Sequence, residues 1–289
     1  MLRTISRCAV VAVLASAGLG GTAAAQAMQA GAAALAPHRA VYDLALVRSQ
    51  GKAALVAARG RILYDFKGSA CEGFSLDFRQ VSELDNGEGG VILSDLRANT
   101  WEAGDAGRFR FRSENRVNEK LTETVDGEAA RGGDGIAVRL TKPRQGDIRL
   151  DAAILFPTQH IVQILAAARE GRTVLEAPVY EGSDQGEKVY NTLTVIGREI
   201  APGDKPPTDA AASRPELGKL KRWPVTVSYF DRSAETTGEQ IPAYAISFEL
   251  YENGISRALT LDYNDFVLSG TLSSLEVAAA KPCEGRHAE

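Results

Sequence analysis

The chain has 289 residues, of which 44% are hydrophobic, 24% charged and 7% aromatic. This composition is typical of a globular protein with a sizeable core, and it excludes a chain that is disordered throughout. Lys and Arg number 33 against 37 Asp and Glu, which gives a formal net charge of −4, and no long basic block is present. Nucleic-acid binding is therefore disfavoured.

Residues 1–27 have the three parts of a secretory signal peptide. Arg3 and Arg7 precede an apolar stretch of about 12 residues, and the small residues that follow fit cleavage near residues 25–27. An uncleaved membrane anchor is the alternative, but a span needs about 20 apolar residues. We therefore expect an exported protein with no membrane span, whose formal charge after loss of the two arginines is 31 − 37 = −6.

Cleavage also removes Cys8 and leaves Cys71 and Cys283 as the two cysteines of the mature chain. Two cysteines in an oxidising compartment pair by default. Their bond would close a loop of 283 − 71 = 212 positions, and the chain-entropy model assigns such a loop a stabilisation of at most about 5 kcal/mol. Two separate buried thiols are the alternative that stays open, and the lack of a Cys-x-x-Cys motif argues against a redox pair.

Alternation of branched or aromatic residues with polar ones predicts β-strands from His38 almost to the C-terminus. The alternation is strictest over residues 108–112, where charges and rings take turns. Clusters of Gly, Asn and Asp separate the segments, and Asn253-Gly254 is the strongest hairpin signal. We predict a mainly β protein in which about a dozen or more strands form one long antiparallel meander.

One short helix is predicted within this pattern. Thr158 is its expected N-cap and Gly171 its C′ residue, while Ile161, Leu165 and Ala168 recur at helical spacing. A helix of about 12 residues is not stable alone. We therefore expect the stripe of Ile161, Leu165 and Ala168 to pack on the concave face of the sheet.

A Pro-rich stretch at about residues 201–222 predicts a loop of about 20 residues. The loop could link two domains, but strand patterns of the same kind flank it and the expected disulfide ties the two sides together. We therefore predict a single β-rich domain over residues 28–289 with a long loop excursion.

Motifs for catalysis and metal binding are absent from the sequence. There is no Gly-x-Ser-x-Gly, no Walker loop and no His-Glu-x-x-His. His38, His160 and His287 lie far apart, and a zinc site needs three or four ligands. Asp262 with Asp265 could form a glycosidase pair, although acids so close to a turn are more typical of a solvated surface. We predict a non-enzymatic protein without a metal or cofactor.

Five segments, in the expected order, resemble the envelope integrity protein EipB family. They are residues 36–44, 71–74, 155–160, 180–184 and 282–283, with the sequences APHRAVYDL, CEGF, LFPTQH, YEGSD and PC. The resemblance implies a periplasmic protein, a sheet coiled into a β-spiral or half-open barrel, and a structural disulfide that falls on Cys71 and Cys283. No catalytic residues are established for that family, so the resemblance assigns none to this sequence.

Two functions are consistent with these expectations. In the first, the chain supports envelope integrity by binding another envelope protein through a sheet edge or loops, and the resemblance implies a periplasmic tetratricopeptide-repeat protein as that partner. In the second, the trough of the curved sheet carries an apolar or lipid ligand, which rests on fold analogy. A filled concave face favours the first function, and an accessible apolar face favours the second. We expect a monomer.

Overall fold

Fourteen antiparallel strands form one sheet in the computed structural model, which describes residues 35–50, 55–87, 89–233 and 240–279. The strands are β1 His38–Ser49, β2 Ala57–Ser69, β3 Gly73–Asp85, β4 Val91–Glu102, β5 Arg108–Val117, β6 Lys120–Gly132, β7 Gly135–Lys142, β8 Gly146–Leu150, β9 Val174–Val179, β10 Tyr190–Ile196, β11 Arg222–Asp231, β12 Tyr244–Tyr251, β13 Ser256–Asp262 and β14 Phe266–Val277. The helices are α1 Pro157–Arg169 and the single turn α2 Pro215–Gly218. The mainly β prediction is confirmed.

The first described strand, β1, lies in the middle of this sheet. From β1 the chain meanders outward to one edge at β8, crosses through α1 to the other edge at β9, and returns strand by strand to β14. There β14 pairs with β1, from His38 opposite Val277 to Ser49 opposite Phe266. We call β1–β8 the outward arm and β9–β14 the return arm. The predicted meander is confirmed, and the pairing between the described strands leaves the sheet open.

A short bridge joins the two edges. Leu155 donates its N–H to the oxygen of Pro178 at 2.8 Å and accepts the N–H of Tyr180 at 2.9 Å, which adds it in parallel to the end of β9. Aromatic packing covers this seam, since the Phe156 ring stacks on Phe109 at 5.2 Å. The barrel-like shape therefore comes from side-chain packing and one backbone bridge.

Helix α1 lies in a core formed by both arms. Its buried residues Ile164, Leu165 and Ala168 share a cluster with Phe66 of the outward arm and Trp223 of the return arm. Ile161, the third residue of the expected stripe, is only partly buried and packs against the cluster. The helix therefore fills the closed part of the concave face.

The start of α1 differs from the prediction. The helix begins at Pro157, with Phe156 as the N-cap residue, so the expected N-cap Thr158 lies inside the first turn. The buried carboxyl group of Glu102, at the end of β4, accepts the N–H of Thr158 at 2.7 Å and that of Gln159 at 2.8 Å. A side chain from a distant strand thus supplies the cap.

All strands run between two rims of the sheet. The closed rim contains the start of β1, the β2–β3 and β4–β5 turns, both ends of α1 and the excursion at residues 197–221. The open rim contains the end of β1, the β3–β4 and β5–β6 turns, the segment at residues 180–189 and the β13–β14 turn.

The excursion at residues 197–221 is fastened to the closed rim by two buried arginines, since Arg257 pairs with Asp209 and Arg222 donates to the oxygens of Asp204 and Lys205. Arg257 contacts Asp209 at 3.0 Å and Glu249 at 2.6 Å, and Arg222 contacts the same Glu249 at 2.7 Å. Leu217 of α2 is buried beside the return arm. The described residues all belong to one compact unit, Ala33–Glu289.

Cys71 lies in the β2–β3 turn at the closed rim and is disulfide-bonded. Its predicted partner Cys283 and the predicted signal peptide, residues 1–27, lie outside the described residues. The pairing of Cys71 with Cys283 and the cleavage near residues 25–27 stay predictions.

A candidate binding site at the open rim

The segment that follows β9 forms one wall of the site. The Tyr180 hydroxyl donates to the oxygen of Gly186 at 2.7 Å and so folds residues 180–186 into a compact turn. Gly182 adopts φ +71°, and a Cβ there would lie 2.4 Å from the ring of Phe111. Only glycine fits this close approach, which gives a structural reason for the YEGSD segment.

A cluster of tyrosines and carboxyl groups stands behind this turn. Tyr244 donates to Glu181 at 2.7 Å, and the rings of Tyr229 and Tyr244 stack at 4.4 Å. Tyr190 meets Tyr244 edge-on at 5.6 Å and donates to Asp184. Burial raises the pKa of Glu181 and of Tyr244. These contacts hold the turn against the return arm.

An open cleft of about 1030 Å³ lies between this turn and the start of β6. Its described lining consists of Leu121, Thr122, Glu123, Thr124, Pro143, Asp184, Gln185, Glu187, Lys188 and Ser233. Lys188 contacts Asp184 at 3.4 Å and Asp231 at 3.2 Å, and Glu123 accepts the N–H of Gln185 at 3.0 Å. We call this the seam cleft, because both arms of the sheet contribute to it.

Two smaller clefts, of about 490 and 290 Å³, lie at the same rim. The first is lined by residues that include Ile241, Asp262 and Asp265, and Asp262 is paired with Arg48 at 3.6 Å. The carboxyl pair considered as a glycosidase site therefore lies in a shallow surface cleft, where Asp262 is in an ion pair.

Exposed aliphatic side chains concentrate at the open rim. Nine large hydrophobic residues of the described chain are exposed. Six of them lie at or next to the open rim, namely Val47, Val56, Val91, Ile92, Leu121 and Ile241, and the other three are Val174, Val195 and Val277. Exposed hydrophobic groups collected in one region are typical of an interaction site.

The histidines do not converge on a site. His38 is buried and stacks on Tyr64 at 5.5 Å, and His160 is buried beside Thr192 at 3.3 Å. Burial lowers the pKa of His160 to about 4, so its ring is neutral at pH 7. The third histidine, His287, lies outside the described residues. Both described histidines therefore have a packing role.

The described part of the chain holds no group of three or more His, Cys, Asp or Glu side chains placed to bind a metal ion. Within the same residues, neither helix has the length and apolar character needed to cross a bilayer.

Sequence reasoning missed Glu102, whose side chain caps the start of α1. Burial raises the pKa of its carboxyl to about 7, and the N–H groups of Thr158 and Gln159 offset that effect only in part. The one available signal was the lack of a capping side chain at Phe156, and it does not say which distant residue caps α1.

The fold and its surfaces define a class of protein, an open barrel-like antiparallel sheet that encloses one helix and leaves one rim uncovered. This chain belongs to the EipB-like family, whose family model matches residues 29–279. The family resemblance inferred from the five segments is therefore confirmed.

Two comparisons support this assignment. The chain is 35% identical over 261 residues to the cell envelope integrity protein EipB of Brucella abortus (strain 2308), covering 90% of this chain and 89% of that protein. It is also similar to the crystal structure of a beta-barrel-like protein of domain of unknown function DUF1849 from Brucella abortus, with a TM-score of 0.78 and 33% identity. That match covers 86% of this chain and 100% of the other. The barrel-like architecture is thus shared.

Proposed function

We propose that this chain contributes to cell-envelope integrity in the periplasm, as a non-enzymatic protein that binds another envelope protein through its open rim. The relative that is named a cell envelope integrity protein supports the general role and the location. The observation that carries the binding role is the unequal use of the two rims. Three aliphatic side chains, Val174, Val195 and Val277, are exposed at strand ends of the closed rim, whereas six are exposed at the open rim, where they lie beside three clefts.

The open rim has the composition of a protein interface. Such interfaces combine apolar anchors with polar groups that remain hydrated at the periphery. Leu121 is 50% exposed at the edge of the seam cleft, whose other lining is mainly polar. Val91 and Ile92 also protrude, because the ladder between β4 and β5 begins only at Ser94 opposite Val117. These three residues are the proposed anchors.

A periplasmic tetratricopeptide-repeat protein is the first partner to test. Stacked helical repeats form extended concave surfaces, and several short protruding turns on one rim would fit into such a surface. The family resemblance is the source of this candidate, and the shape of the open rim is compatible with it.

Site-specific photo-cross-linking in the native envelope tests the proposal. A photoreactive residue is placed at Leu121 or Ile92, and at Val195 as a control. Val195 is 49% exposed but lies in β10, away from the open rim. We expect a discrete cross-linked protein from Leu121 and Ile92 and none from Val195. Equal products from the three positions, or products from Val195 alone, would contradict a partner at the open rim.

A further inference from the structure

Side chains in the middle of the concave face are partly exposed, whereas those near the closed rim are buried. In the row nearest the closed rim, the cross-strand neighbours Phe74, Glu102, Phe109 and Ala129 are all buried. Phe78 follows Phe74 by four positions on β3, so both side chains lie on the same face of the sheet. Phe78 belongs to a row with Tyr64, Ala98 and Ser113, and these four residues are all partly exposed.

The return arm shows the same behaviour. Ile246 and Phe248 of β12 pack against the buried cores and are still partly exposed. Ala98 and Ser113 are directly opposite each other on β4 and β5, so two small side chains leave room between the larger rings. We call the accessible space beside these residues the trough. Its walls are mostly apolar, and they suit an alkyl chain.

One end of the trough contains a hydrogen-bond acceptor that has no donor among the described residues. In the next row toward the open rim, Asn115 lies opposite Leu96 on one side and Glu123 on the other. The side-chain oxygen of Asn115 is buried and has no hydrogen-bond partner within the described part of the chain. Buried acceptors without a donor are rare and unfavourable, so a donor supplied by a ligand would stabilise this end.

The charges near this end are negative. Glu123 lies opposite Asn115 on the neighbouring strand. The turn that carries Glu181 contacts Glu123, because the N–H of Gln185 donates to the Glu123 carboxyl group at 3.0 Å. On the described inward rows of β3–β5 there is no Lys or Arg side chain, since the arginines of these strands alternate onto the outer face. The lysine that lines the adjoining seam cleft, Lys188, is already paired with Asp184 and Asp231. A cationic donor is therefore complementary to the Asn115 oxygen and the Glu123 carboxyl group, whereas an anionic head group would be repelled by the carboxyl groups.

We infer that the trough binds a small amphipathic molecule, with an alkyl chain along Phe78 and Phe248 and a cationic, hydrogen-bond-donating head group at Asn115 and Glu123. Glu123 also lines the seam cleft, so the head-group end of this site adjoins the proposed partner surface, but the binding of a small molecule does not depend on a protein partner. It gives the carrier hypothesis a specific class of ligand.

Titration calorimetry with two probes of equal chain length tests the ligand class. The full-length mature protein is titrated with dodecylammonium and with laurate, each below its micelle concentration. We expect dodecylammonium to bind at least tenfold more tightly than laurate. Equal affinities, a preference for laurate, or no binding of either probe would overturn the inference.

Variants with matched controls locate the site. Ala98→Phe fills the trough and should weaken dodecylammonium binding at least tenfold, whereas Asn99→Phe, on the exposed outer face of the same strand, should leave it unchanged. Asn115→Leu removes the acceptor and should abolish the preference over laurate, and it serves as the test if Ala98→Phe does not fold. Unchanged binding in folded Ala98→Phe or Asn115→Leu would contradict the assignment. Because calorimetry detects a bound small molecule and cross-linking detects a partner protein, the two proposals fail separately.

Discussion

The two rims of this sheet use the same kinds of residues in opposite ways. At the closed rim, Arg257 and Asp209 have side chains that are 7% and 6% exposed and lie 3.0 Å apart. At the open rim, Arg48 and Asp262 have side chains that are 56% and 39% exposed and lie 3.6 Å apart. A buried pair is costly to break because one charge is left without compensation, whereas an exposed pair contributes little.

This difference separates stability from recognition in the molecule. The closed rim contains the disulfide-bonded Cys71, the capped start of α1 and the fastened excursion, so changes there should act on folding. The open rim has exposed aliphatic residues that contribute little to the core, so changes there should act on binding.

The largest expected effect is at the buried ion pairs. Arg257→Ala should lower the free energy of unfolding by about 3–5 kcal/mol, because the buried Asp209 then loses its partner, while Glu249 keeps only Arg222. The matched change at the open rim, Arg48→Ala, should cost less than about 1 kcal/mol. Denaturant unfolding measures both variants. Similar losses in the two would contradict the distinction between the rims.

Removal of helix packing should be the next largest effect. Leu165 is fully buried in the core shared by both arms. Leu165→Ala should therefore cost about 2–5 kcal/mol of unfolding free energy, through lost burial and a cavity. Ile161→Ala, on the same helix at a partly exposed position, is the control with a smaller expected loss. An equal loss would mean that α1 packs differently.

Loss of the disulfide should lower the melting temperature by several °C. Cys71→Ser removes a cross-link whose typical contribution is about 2–4 kcal/mol. Cys283→Ser should have the same effect if the predicted pairing is right, and the double variant should add nothing further. Scanning calorimetry of oxidised and reduced protein gives the comparison. Coincident melting of the two forms would remove the structural role assigned to Cys71.

Two buried groups near α1 should give opposite pH dependences. The pKa of Glu102, raised to about 7, keeps its carboxyl protonated when folded, so stability falls as pH rises from about 4.5 to 7. The pKa of His160, lowered to about 4, keeps its ring neutral when folded, so stability falls as pH drops from about 6.5 to 4. Between about pH 4.5 and 6.5 the two effects oppose each other.

Glu102→Gln should remove the pH dependence due to Glu102 and leave the one due to His160. Relative to the unsubstituted protein, the variant should lose on the order of 2 kcal/mol more as the pH is lowered from 6.5 to 4.5. Denaturant unfolding at these two pH values provides the measurement. Parallel pH profiles for the two proteins would show that Glu102 is not a protonated buried carboxyl in this range.

Local features of the fold were predictable from the sequence, and contacts between distant residues were not. Alternation predicted the strands, and Asn253-Gly254 predicted a hairpin that the structure contains, with Gly254 at φ +87°. The expected N-cap Thr158 was wrong because Glu102, 56 positions earlier, provides the cap. A capping residue that reaches the helix only through the curvature of the sheet produces no recognisable pattern in the sequence near that helix.

The candidate site was less predictable than the fold. The YEGSD segment drew attention to residues 180–184, but the seam cleft also needs the start of β6, which reaches that turn only because the two edges of the sheet meet. The accessible middle of the concave face likewise depends on how far α1 extends into it. Neither feature follows from periodicity or composition.

The most direct test of the contrast between the rims is the rescue of envelope integrity in cells that lack the protein. Leu121→Asp and Val91→Asp change the open rim, and Val195→Asp and Val174→Asp change residues of similar exposure away from it. All four substitutions should alter stability by no more than about 0.5 kcal/mol. We expect the open-rim variants, present at normal levels, to leave cells sensitive to detergent, while the other two restore resistance. Full rescue by the open-rim variants, or equal loss in all four, would contradict the account.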